Sequence, residues 1–221
     1  MAKGVFSTLS LLFCTTDEQA MLRVQAEDDH GAFAQLVERW EEPIRRLCVR
    51  MVGDPHKGED LKQEAFARVF AKRKDYRPTG RFSTFLWRIA LNACYDELRR
   101  VKRRAESVLD EEVEGAFAVF ESEGDDPHLE AAGNEEAELV RSALMRLPEI
   151  YRTVLVLRHY EGLKLNKIAE ILEIPEGTVN SRIAEGLVRL TRMLEPKFKD
   201  QRATRERSTP SRRAGQENLV L

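Results

Sequence analysis

Between Asp75 and Arg99 the chain sets cations and aromatic rings at a spacing that suits an unpaired nucleic-acid strand. The run Asp75-Tyr76-Arg77-Pro78-Thr79-Gly80-Arg81 contains a Pro and a Gly that block helix continuation, so its basic and aromatic side chains belong to a loop. The segment after it reads as a helix with two faces. Phe82, Phe85, Leu86, Ile89 and Ala93 form a core stripe, while Arg81, Arg88, Asn92, Tyr95 and Arg99 align on another face. Cations track phosphate, and each base offers a π-face for stacking or can be extruded into a pocket. Phe82 and Phe85 read as core residues. Trp87, Tyr95 and Tyr76 fit either a stacking platform or a core.

A second segment suits duplex DNA. Leu165 to Leu172 reads as a short helix, Glu173-Ile174 as a turn, and Pro175 as the first-turn proline of a following helix. In that helix Val179, Ile183, Leu187 and Leu190 are expected to point inward. Ser181, Ala184 and Glu185 then lie outermost, flanked by Asn180 and Arg182, and a helix presented this way fits the major groove. A third face lies on Gly58 to Lys72. There Leu61, Ala65, Phe66, Val69 and Phe70 share one apolar arc, and Asp60, Gln63 and Glu64 fall opposite. Taken alone, that polar trio is an ordinary solvated surface.

These faces need rigid carriers, and the periodicity supplies helices only. Apolar residues recur at three- and four-residue spacing, and no alternating strand of useful length occurs. The expected fold is all-α, with helices near 17–26, 30–52, 58–72, 82–104, 136–146, 148–160, 164–172 and 175–194. Charge divides the chain. Arg99 to Arg104 holds five basic residues, whereas Ala105 to Val140 holds thirteen acids and no base. With its glycines and Pro127, that acidic stretch reads as a flexible linker that cannot bury enough apolar area to offset its ordering entropy. Two small helical domains, 17–104 and 138–198, therefore flank a linker at 105–137, with an extension at 1–16 and a basic, disordered tail at 199–221.

Several classes are excluded. The longest apolar stretch, around Val5 to Phe13, contains Ser7, Thr8 and Ser10 and is far shorter than a membrane span of about 20 residues. No small-residue cleavage site follows it, so the expected location is cytoplasmic, with no membrane partner. Cys14, Cys48 and Cys94 are widely spaced in helical patterns and read as reduced core residues. The four histidines show no metal-ligand spacing with cysteine or acid, so neither a metal nor any other cofactor is expected. No Gly-rich phosphate loop or nucleophile elbow accompanies Asp60, Glu64 or His159, so neither catalysis nor a small-molecule substrate is expected.

Three motifs together resemble those of bacterial sigma factors, within the sigma-70 family and its small extracytoplasmic-function (ECF) group, over about residues 17–200. GEDLKQEAFARVF at 58–70 resembles the segment that grips the largest polymerase subunit. FSTFLWRIALNACYDELRR at 82–100 resembles the segment that recognises and melts the minus-ten element, and the run at 147–183 resembles the minus-thirty-five reader. The resemblance implies a protein that binds core RNA polymerase and directs promoter-specific initiation, with core polymerase and promoter DNA as partners and an anti-sigma factor left open. It implies polymerase binding by Asp60, Leu61, Gln63, Glu64 and Phe66. It implies minus-ten contacts by Tyr76, Arg77, Arg81, Trp87, Arg88, Asn92, Tyr95 and Arg99. Minus-thirty-five contacts fall on Thr178, Asn180, Ser181, Arg182, Ala184 and Glu185. The linker's family position implies RNA mimicry in a basic channel, against a plain solvated tether. Three features depart from the family pattern: Asn180, Ala184 and Glu185 stand on the outward face of the recognition helix where basic or aromatic residues are usual, Asn166 and Lys167 where acids are common, and Glu173 where Gly is common. The competing reading is a helix-turn-helix regulator without polymerase docking, which leaves the Asp60 face unused.

Overall fold

The computed structural model describes residues 16–77, 80–109 and 134–208. Among these every regular element is helical. Helix α1 spans Asp17–Glu27, α2 His30–Val52, α3 Pro55–Ala71 and α4 Phe82–Leu109, with a 3-10 turn at Arg73–Asp75. Helix α5 spans Asn134–Arg146; α6 spans Glu149–Leu155 and runs on as a wide π turn, Val156–Tyr160. Helices α7, Leu165–Leu172, and α8, Glu176–Ser208, complete the described residues. The proposed extension up to residue 15 and most of the acidic linker lie outside the described residues, as does Cys14.

Caps set the tight corners of the first body. Thr16 and Gln19 form a capping box on α1, and Asp29 accepts from the Ala32 amide at 2.9 Å to start α2. Gly53, at φ 83°, ends α2 with its amide on the Val49 carbonyl, and Asp54 then caps α3 ahead of Pro55. Helices α2 and α3 approach closely at Gly58, where an added Cβ would stand 2.4 Å from Val49 Cγ2 and 2.9 Å from the Val49 amide nitrogen. Met21, Leu36, Ile44, Leu47, Met51, Leu61, Val69, Phe82 and Leu86 fill the core, and Cys48 and Cys94 are buried with free thiols.

The second body packs α6, α7 and α8 around Leu147, Leu155, Leu157, Ile168, Ile171 and Val179. Its core is continuous with that of the first body. Arg152 joins them: it is buried and donates to the carbonyls of Met145 (2.8 Å), Leu147 (3.0 Å) and, across the boundary, Met51 (2.5 Å). The Met51 carbonyl is among the last of α2 and has no partner within its helix, so a guanidinium there caps the helix and complements its dipole.

Two boundaries differ most from the sequence expectation. Helix α4 continues past residue 104 to Leu109, and α8 passes through Pro196 to Ser208, ten residues into the stretch expected to be disordered. That stretch, Lys199 to Ser208, is rich in Arg, Gln, Glu and Ala, which favour helix regardless of net charge.

Candidate nucleic-acid interface

The α4 stripe forms where expected, but its residues meet different fates. Arg81, just before the helix, is exposed, as are Arg77, Asn92 and Arg99, and the nearest acid to Arg99 is Asp96 at 3.8 Å. Tyr76 is instead buried, its ring against Phe85 (5.5 Å) and Phe82 (6.4 Å) and its hydroxyl donating to the Gly80 carbonyl at 3.1 Å. It braces the loop from inside and offers no stacking face. Trp87 is buried too, edge-to-face with Trp40 at 6.1 Å. Both corrections have one cause: an aromatic ring adjoining an apolar stripe gains more from core contact than from exposure.

Arg88 and Tyr95, mid-stripe, are engaged by the second body. Arg88 donates to the Glu170 carbonyl (2.6 Å) and Ile171 carbonyl (3.2 Å) and pairs with the Glu173 carboxylate at 2.7 Å. The Tyr95 hydroxyl lies 2.9 Å from Thr153 Oγ1. Thr153 gives its own hydrogen to the Glu149 carbonyl, so Tyr95 is the donor, and burial pushes its phenol up from the usual range.

On α3, Asp60, Gln63 and Glu64 are all exposed. Asp60 lies 3.5 Å from Lys57, and Gln63 donates to Glu59 at 3.4 Å. Glu64 accepts from Arg68 at 2.7 Å, and Arg68 also reaches Asp96 on α4. Leu61 and Phe66 are core residues, 2% and 6% exposed, and so lie beneath this surface without being part of it.

The helix-turn-helix forms at α7 and α8. Glu173 takes the left-handed turn position at φ 55°, and the Ile174 amide closes on the Ala169 carbonyl. The inward stripe of α8 is Val179, Ile183, Gly186 and Leu190; Leu187, expected inward, is 41% exposed. Gly186 lies within about 20° of Val179 around the helix and Leu187 about 80° away. A Cβ at Gly186 would stand 3.1 Å from Leu155 Cδ1, so α8 sits close on α6. Asn180, Ser181 and Ala184 are exposed, while Thr178 and Arg182 are half-buried. Glu185 accepts from Arg189 at 2.6 Å, and Arg189 lies over the Tyr151 ring.

Sequence reasoning missed the polar residues between the bodies. Thr84 donates to Glu170 Oε1 at 2.8 Å, and Lys167 touches both. The Glu161 side chain is 3% exposed, between Arg46 (3.5 Å) and Arg50 (3.3 Å) of α2, and Arg50 in turn lies over the Tyr160 ring. Burial raises its carboxyl above the usual range, against the pull of the arginines. One available signal was Arg152, which lies one turn before Leu155 and Val156 on an apolar stripe, a place where a charge must find partners.

The two bodies thus carry a polar face on α3, a partly covered cationic stripe on α4 and a helix-turn-helix at α7 and α8. The family model for Sigma-70 region 2 matches residues 36–104, and that for Sigma-70 region 4 matches 137–190. The chain is 36% identical over 171 residues to the ECF RNA polymerase sigma factor SigW of Bacillus subtilis, covering 75% of this chain and 90% of that one. It is 34% identical over 191 residues to the RNA polymerase sigma-H factor of Pseudomonas aeruginosa, covering 83% and 96%. Among solved structures, CnrH in complex with the cytosolic domain of CnrY aligns with a TM-score of 0.59 at 23% identity, over 81% of this chain and 97% of that one. RpoE of Bartonella quintana, in complex with the anti-sigma factor NepR, gives 0.57 at 21%, over 74% and 96%. The chain belongs to the sigma-70 family of RNA polymerase sigma factors, in the ECF group.

Proposed function

We propose that this sigma factor divides promoter recognition among its three faces. Asp60, Gln63 and Glu64 dock on core RNA polymerase, with Leu61 and Phe66 holding α3 rigid beneath them. The first turns of α8, with Thr178, Asn180, Ser181, Arg182, Ala184 and Glu185, read the minus-thirty-five duplex. Arg77, Arg81, Asn92 and Arg99 take the non-template strand of the minus-ten element. Arg88 and Tyr95 join them once the second body moves aside.

The observation that carries this reading is the exposed Asn92 between Arg81 and Arg99 on one stripe, beside the loop that Tyr76 braces. Arginines at either end can bind successive phosphates, and an amide between them can hydrogen-bond the edge of an extruded base. Unstacking one nucleotide costs a few kcal/mol, which its capture offsets, so melting at this face needs no nucleotide hydrolysis. The chain itself catalyses nothing in this reading and works in the cytoplasm with polymerase and DNA. An anti-sigma factor, the partner named for the Bartonella relative, is a further partner class. The test is permanganate footprinting of open complexes: Asn92→Ala should lower thymine reactivity in the minus-ten region while leaving duplex binding intact. Unchanged reactivity refutes the assignment.

A further inference from the structure

Helix α1 lies ahead of the residues that the region 2 model matches, yet it fastens the loop beside the α4 stripe at both ends. At the start of the loop the Gln25 side-chain amide donates to two backbone carbonyls, Tyr76 at 2.8 Å and Lys74 at 3.2 Å. The Lys74 ammonium returns a bond to the Gln25 carbonyl at 2.7 Å, among the last carbonyls of α1, which lack partners inside their own helix. Arg73 pairs with Asp28, just past the end of α1. At the end of the loop the Glu18 carboxylate accepts from the Phe82 amide at 3.2 Å, so a side chain of α1 caps the first turn of α4.

The brace is itself anchored. Ala20, Met21 and Val24 are buried in the core, and Asp17 accepts from the Trp40 indole at 2.9 Å and pairs with Arg39. The consequence falls on two exposed arginines. Arg77 follows Tyr76, whose carbonyl Gln25 holds, and Arg81 precedes Phe82, whose amide Glu18 holds. We propose that Gln25 and Glu18 are positioning residues for minus-ten recognition: they set the backbone path at Tyr76 and Phe82, and so the places of Arg77 and Arg81 relative to Asn92, before the strand arrives. A loop ordered in advance loses less conformational entropy on binding, and arginines fixed relative to Asn92 let one extruded base be favoured over another. Gln25 and Glu18 are half-buried, and both act through the backbone they hold. Their role rests on the assignment of Arg77, Arg81 and Asn92 to the minus-ten strand.

Gln25→Met keeps the length of the side chain and removes both donors. Glu18→Ala removes the cap, whereas Glu18→Gln keeps an oxygen to accept from Phe82. Each variant, with wild type and Asn92→Ala beside it, is assembled with core polymerase and transcribes a template pool randomised through both promoter elements, and the transcribed templates are sequenced. Gln25→Met and Glu18→Ala should flatten the minus-ten preference, the ratio of best to median sequence, by about fivefold, the effect of one weakened hydrogen bond. The minus-thirty-five preference should stay as in wild type, and Glu18→Gln should restore the minus-ten preference. Partial unfolding lowers yield from every template alike and leaves these ratios unmoved. Unchanged ratios in the α1 variants beside a flattened Asn92→Ala overturn the positioning role and leave the minus-ten assignment standing. Unchanged ratios in all of them overturn both. Flattened α1 variants beside an unchanged Asn92→Ala keep the brace and remove Asn92 from the recognised pocket. Flattening of both promoter elements together, or a Glu18→Gln profile as flat as that of Glu18→Ala, also overturns the role.

Discussion

Replacing Arg152 by Met removes three hydrogen bonds at once while keeping most of the apolar stem. The bonds, at 2.5, 2.8 and 3.0 Å, run from a cation to buried carbonyls. Such charge-assisted bonds contribute about 1.5–3 kcal/mol each, so the gross loss is about 4.5–9 kcal/mol. Against it stands the return of a buried guanidinium to water, several kcal/mol, a burial strong enough to lower this group's pKa from its ordinary value. The net expected cost is about 3–5 kcal/mol. Two of the three acceptors, Met145 and Leu147, lie in the second body and only Met51 in the first. Both tryptophans, Trp40 and Trp87, are in the first body. Urea unfolding read by tryptophan fluorescence therefore reports that body, and far-UV circular dichroism reports both. Arg152→Met should move the dichroism midpoint well below wild type and split it from a fluorescence midpoint that shifts by no more than a third as much. Equal shifts in both signals, or a total cost under about 1 kcal/mol, would refute the idea that Arg152 chiefly holds the second body.

Asp60→Lys with Glu64→Lys should abolish co-purification with core polymerase while circular dichroism stays unchanged, since both side chains are exposed. Arg99→Ala should weaken promoter binding on all sequences alike and reduce the log–log salt slope by about one unit, as for one lost phosphate contact. Gly58→Ala should destabilise despite a helix-propensity gain of about 1 kcal/mol, because the new methyl meets Val49 backbone as well as side chain; a higher melting temperature would contradict the observed helix approach. The Glu161 carboxyl is raised by burial in the folded chain and returns to its ordinary value on unfolding, so folding takes up protons there. Its contribution to stability is therefore greatest below the ordinary value of 4.5 and weakens as pH rises through the higher folded value. The urea midpoint of wild type, relative to that of Glu161→Gln, should fall as pH is raised through that window.

Helix content was legible because period alone determines it: α2 begins and ends at His30 and Val52, as its apolar spacing and flanking Asp29 and Gly53 require. The polar α3 face was legible for the same reason. Aromatic roles were not, because Tyr76 and Trp87 have the composition of a stacking platform and the packing of a core, and only the fold separates the two. On α8 Leu187 was chosen by hydrophobicity over the glycine that helical angle favours, and Gly186 took the inner place. The contacts between the bodies were least legible. Arg88 with Glu173, and Arg46 with Glu161, are separated by 85 and 115 residues, and no local pattern links such pairs.

Arg152 and Glu173 also have a place in time. The helix that carries the Arg81 to Arg99 stripe is complete early in synthesis, whereas the oxygens that cover Arg88 arrive with residues 170 to 173. Between Arg104 and Glu173 the ribosome must add 69 residues. At about 5–20 residues per second this takes about 4–14 s. During that interval the nascent first body has no cover for Arg88 and, for its first 48 residues, no guanidinium for the Met51 carbonyl. A ribosome paused within the acidic stretch would thus display the α4 stripe uncovered on a tethered chain, and release from the pause would cover it.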